Sequence, residues 1–126
     1  MSAAQEWTPP QLRPEHELVA MIEHVTANGY SRNRHDGYDK GLLAALNWAI
    51  GRTEQPPVSK APLGRPVNGT DAKREQYRAY EAMKGGIAEP ELREVAQEKG
   101  RGYVTGVENT LAWAIGGDAL WAPWER

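Results

Sequence analysis

Cysteine is absent from the 126 residues, and so is phenylalanine. Lacking cysteine, the chain can form neither a disulfide framework nor a thiolate metal site, and it agrees with a reducing compartment. No uninterrupted apolar run approaches membrane-spanning length, and the opening MSAAQEWTPPQLRPE has no basic segment leading into an apolar one. The expectation is a soluble, cytoplasmic protein, in which Asn68-Gly69-Thr70 has no meaning as a glycosylation sequon. Charge of one sign is also lacking. Fifteen basic against seventeen acidic residues give a net charge of −2, so attraction to nucleic acid or anionic lipid must come from a local patch.

What is present is an internal repeat. GYDKGLLAALNWAIG (Gly37 to Gly51) returns 65 positions later as GYVTGVENTLAWAIG (Gly102 to Gly116), with eight identities and no gap. On a helical wheel, Leu42, Ala45, Leu46, Ala49 and Ile50 form one apolar stripe, and Val107, Thr110, Leu111, Ala114 and Ile115 take the same places. A second stripe holds Tyr38, Gly41, Ala45 and Trp48, matched by Tyr103, Gly106, Thr110 and Trp113. At 100° per residue the two stripes span roughly 220°, more than one neighbouring helix covers, so each repeat helix must pack on two sides. Glycine inside a helix costs about 1 kcal/mol relative to alanine, which makes the matching Gly41 and Gly106 markers of close backbone approach.

Glycines end the periodic segments at Gly29, Gly51, Gly85-Gly86, Gly100 and Gly116, as expected of helix C-termini. The fold class that follows is all-α: a compact bundle of about five helices, with two repeated helical hairpins and a Pro/Gly-rich linker. Residues 1–12 read as a disordered N-terminus and 13–126 as one helical domain. Within it, repeat 1 covers about 14–57, an extended surface linker 52–69, an added helix 70–85 and repeat 2 about 89–124. Helix one carries Leu18, Met21, Ile22 and Val25 on one face. The added helix is capped by Thr70 and turns Ala72, Ala79, Tyr80 and Met83 inward. The fourth has Pro90 in its first turn and Leu92, Val95 and Ala96 facing in.

Catalytic patterns are weak. His16 and His24 lie two turns apart, with Ala20 where a second zinc-binding histidine would stand. His35-Asp36 matches one pair of an HD phosphohydrolase but lacks the other ligands, since the chain has three histidines. Glu91-x-x-Glu94 would need a further acidic pair to hold magnesium, and the next helix offers only Glu108. Serines lie in termini or loops, and Gly64 to Gly69 lacks the Lys-Ser/Thr of a P-loop. The reading is therefore non-enzymatic, with no cofactor and no metal.

Two binding patterns remain. Tyr30, Arg32, Arg34 and His35 cluster in a loop ahead of the first repeat helix, and can take a phosphate or another small anionic ligand, a nucleotide or nucleic acid. Asp36 and Asp39 can instead neutralise them as local caps. Lys73, Arg74, Arg78 and Lys84 interleave with Tyr77 and Tyr80 on the added helix, diluted by Glu75 and Glu81. Trp48, Trp113, Trp121 and Trp124 supply more apolar surface than five helices of this length hide, which predicts a homodimer or another protein partner with these tryptophans as anchors.

Tyr-x-x-Gly followed by Leu-x-Trp-Ala-Ile-Gly and then a proline pair, Tyr38 to Pro57, resembles small uncharacterised proteins of actinobacteria and their phages. The shared positions are packing residues. The resemblance implies a helical protein of phage or mobile-element origin and brings no catalytic residue with it.

Overall fold

The computed structural model describes residues 9–29, 37–85 and 89–116. They form five helices, α1 (Glu15–Asn28), α2 (Tyr38–Ala49), α3 (Gly69–Met83), α4 (Pro90–Lys99) and α5 (Arg101–Ala114), with no strand among the described residues. The protein is an all-α bundle. Its centre is the α2–α5 pair, on which α1 packs from the α2 side while α3 and α4 pack against α5 and each other.

The repeat explains the centre. A Cβ on Gly41 would collide with the carbonyl oxygen of Tyr103 and stand 3.0 Å from its carbonyl carbon. A Cβ on Gly106 would collide with the carbonyl oxygen of Tyr38 and stand 3.1 Å from that carbonyl carbon. The two contacts are reciprocal and share the 65-residue offset, so α2 and α5 cross with the missing side chain of each admitting the backbone of the other. The helices that precede them end alike. Gly29 (φ 75°, ψ 158°) closes α1, and Gly100 (φ 91°, ψ 159°) closes α4, a conformation that side-chain-bearing residues rarely adopt.

Each repeat helix packs on two sides by exchanging its tryptophan. Trp48 of α2 sits with Val104, Val107 and Leu111 of α5 and with Ala72 and Ala79 of α3. Trp113 of α5 sits with Leu42, Leu46 and Ala49 of α2 and with Leu18, Met21, Ile22 and Val25 of α1. Both tryptophans are 3% exposed, which corrects their reading as interface anchors: their apolar area is already covered within one copy of the chain. Leu46 and Leu111 are fully buried, whereas Ile50 and Ile115, past the last helical residue of α2 and α5, are half-buried. Trp121 and Trp124 lie outside the described residues.

Three segments depart from expectation. Residues 9–12 do not continue the assigned disorder: the Pro10 carbonyl lies against Gly69, and Leu12 packs on both core clusters. Arg13 then donates its backbone N–H to Ala114 O at 2.8 Å and Nε–H to Trp113 O at 2.6 Å, so this segment satisfies carbonyls at the end of α5. The linker is docked rather than extended at the surface. Pro56, Pro57 and Val58 are buried, because the Glu75 carboxylate accepts from Val58 N–H (2.6 Å), Ser59 N–H (2.7 Å) and the Ser59 hydroxyl (2.6 Å). The Tyr103 hydroxyl donates to Pro57 O at 2.9 Å. Finally, α3 starts at Gly69 with Asn68 as its cap, not at Thr70. Asn68 and Asp71 exchange side-chain-to-backbone hydrogen bonds in a capping box, and Arg65 grips the Asp71 carboxylate at 2.6 and 2.9 Å.

Candidate functional site

Helix α3 has an inward face of small and acidic residues: Ala72, Glu75, Ala79 and Ala82 recur at helical spacing and are buried. The opposite face therefore carries the bulk. Tyr77 is 58% exposed and Tyr80 43%, and they are the exposed large apolar side chains among the described residues. This corrects the inward assignment of Tyr80; the alanine stripe occupies the face that contacts α5. The two rings lie 6.4 Å apart at 37°, and Lys84 Nζ stands 5.1 Å over the Tyr80 ring.

Lys73 and Arg74 are exposed one turn before Tyr77, and Lys84 is exposed one turn beyond Tyr80. Against these three cations the face holds one carboxylate, Glu81, 4.0 Å from Lys84. Arg78 belongs elsewhere: it donates to Glu89 at 3.2 Å and to Glu91 at 2.8 Å and ties α3 to the start of α4. The result is a pair of adjacent, mutually tilted tyrosines framed by cations, on a helix whose rear face is fixed by the core.

The acidic residues singled out for magnesium do not converge. Glu91 is held by Arg78, Glu94 pairs with Lys60 at 3.2 Å, and Glu108 accepts from Gln76 at 2.6 Å. Among the described residues no group of three or more His, Asp or Glu side chains is placed to hold a metal ion. Among them, too, no helix is long and apolar enough to cross a membrane. The titratable groups that are perturbed serve the fold. The hydrogen bond from Arg65 holds the Asp71 carboxyl below the ordinary aspartate range, against the opposing effect of burial, with the Asn68 N–H assisting. Burial pushes the Tyr103 hydroxyl up, and the Glu75 charge adds to this.

The predicted anion loop Tyr30, Arg32, Arg34 and His35 lies outside the described residues. Immediately after it, the N-termini of α2 and α5 converge on an open groove of about 830 Å³ lined by Lys40, Lys99, Arg101, Tyr38 and Tyr103. Neither helix start has a side-chain cap, and Glu98 is the carboxylate of the lining. Sequence reasoning missed this cluster, although the repeat alignment brings Lys40 and Thr105 to equivalent positions at the start of paired helices. No family model matches the chain, and no curated protein or solved structure matches it.

Proposed function

We propose that this chain is a non-enzymatic helical interaction protein, a phage or mobile-element accessory factor in setting, that binds an acidic protein partner through the exposed face of α3. The observation that carries the reading is the Tyr77–Tyr80 pair, which leaves two large rings in solvent while comparable apolar side chains among the described residues are covered or partly covered. Tyrosine with neighbouring cations is a common composition of binding hot spots, because the rings give apolar area at small entropic cost and the charges steer a partner of opposite sign.

The same pattern disfavours a second copy of this chain as the partner. Laid antiparallel about the tyrosines, two α3 faces set Lys73 and Arg74 of one against Lys84 of the other; laid parallel, each cation meets its own counterpart. Either arrangement opposes like charges. The test is capture from a lysate of the native host by the intact chain and by Tyr77→Ser/Tyr80→Ser, followed by reconstitution with the purified partner. A partner retained only by the intact chain, at unchanged thermal stability and insensitive to nuclease, supports the reading; equal capture by both refutes it.

A second reading is favoured by the groove between α2 and α5. Lys40, Lys99 and Arg101 surround two helix starts without side-chain caps, a setting suited to an anionic ligand, nucleotide or nucleic acid. Calorimetry with pyrophosphate and with a short oligonucleotide checks it: binding abolished by Lys40→Glu/Arg101→Glu supports this reading over the first.

A further inference from the structure

A second concavity lies where the segment before α1, the end of α2 and the docked linker meet. It encloses about 550 Å³, within the range of small-molecule sites. Leu12, Leu18, Trp48, Ile50, Leu63 and Val67 supply its apolar lining. Trp48 is 3% exposed and forms part of the cleft wall.

The charges at this cleft are unequal in their freedom. Its two cations are engaged: Arg13 with Trp113 O and Glu17, and Arg65 with both oxygens of Asp71. Its two carboxylates, Glu15 and Glu54, make no ion pair among the described residues and are exposed. An apolar cavity with spent cations and free carboxylates at its mouth selects for an apolar body carrying positive charge.

We infer that this cleft is a binding site for a small amphipathic organic cation, whose apolar body lies against Ile50, Leu63 and Val67 and whose ammonium or guanidinium group meets Glu15 and Glu54. The site stands apart from the α3 tyrosines and does not rest on the protein-binding reading. The occupant has a hydrocarbon or aromatic body of drug-fragment size and one cationic end.

The test uses three compounds with one body and different ends: 4-phenylbutylamine, 4-phenylbutanol and 4-phenylbutyrate, titrated into the full chain with backbone and indole N–H resonances observed by NMR. The expected result is saturable shifts centred on the Trp48 indole and the Gly51 and Gly64 amides, with the amine binding about three- to tenfold more tightly than the alcohol and the butyrate weakest. Glu15→Gln/Glu54→Gln should reduce amine affinity to that of the alcohol, and Glu54→Lys should reverse the preference toward the butyrate. Both changes are at exposed positions, and an unchanged melting temperature verifies folding. Equal affinity for all three compounds, tighter binding of the butyrate to the unaltered chain, shifts located elsewhere, or no saturable binding of the amine at millimolar concentration each overturn the inference.

Discussion

Gly41→Ala adds one methyl group at the centre of the bundle. Helix propensity alone favours the substitution by about 1 kcal/mol, because alanine is the best helix former and glycine among the worst. The contact opposes it. The new Cβ would collide with the Tyr103 carbonyl oxygen and approach the Tyr103 carbonyl carbon to 3.0 Å and Cα to 3.2 Å. These are backbone atoms of a packed helix, so no side-chain rotation relieves the overlap and α2 must move from α5. Overpacking of this kind costs about 1–3 kcal/mol, and a rigid obstacle places Gly41 at the upper end. The net loss is about 2 kcal/mol, or roughly 6–12 °C in melting temperature for a domain of this size. Gly106→Ala meets the Tyr38 carbonyl in the same way and should lose a similar amount. The double substitution should lose less than the sum, because one separation of the two helices relieves both overlaps. Thermal melts followed by far-UV circular dichroism measure all three. An unchanged or raised melting temperature for either single variant, or strict additivity in the double, would refute the reciprocal close approach.

Further outcomes follow from the polar contacts. Glu75→Ala strands the Val58 and Ser59 N–H groups and should destabilise by about 2–3 kcal/mol, with the linker becoming the first site of limited proteolysis. Asp71 has a folded-state pKa below its unfolded value, so its contribution is present above about pH 4 and is lost as pH falls through the depressed folded value; Asp71→Asn should flatten the acid limb of a pH-dependent melt. Tyr103 has a raised pKa, so its contribution is present below about pH 10 and is lost as pH rises through the folded value; Tyr103→Phe should remove that alkaline loss along with the hydrogen bond to Pro57 O. Chelator treatment should leave the melting temperature unchanged, measured by differential scanning fluorimetry.

The sequence was most informative where one period governs a segment. The repeat announced both helices and their two packing faces, and the paired glycines announced a close approach whose partners proved to be each other's helix. Capping and docking were less legible. Asn68 and Thr70 are both acceptable caps, and the choice between them depends on Asp71 closing a box with Asn68 while held by Arg65. The linker composition is that of a surface loop, and nothing local to Pro56, Pro57 and Val58 reveals that Glu75, sixteen or seventeen residues away, receives their neighbourhood's N–H groups. For Trp48 and Trp113 the width of the apolar arc does not by itself tell a second copy from a second neighbour within the same chain. Trp48 and Trp113 instead fill each other's hairpin clusters. For the α3 face, the alanine stripe held the signal: once Ala72, Ala79 and Ala82 face inward, Tyr77 and Tyr80 must stand largely in solvent.

The most direct test of the proposed function is the affinity of the intact chain and of Tyr77→Ser/Tyr80→Ser for a purified partner captured from the native host, measured by calorimetry at two salt concentrations. The expected result is binding that weakens with salt, as cations around the tyrosines require, and a loss of at least about tenfold in the variant at unchanged melting temperature. Equal affinities for the two proteins would contradict the assignment of α3 as the binding face.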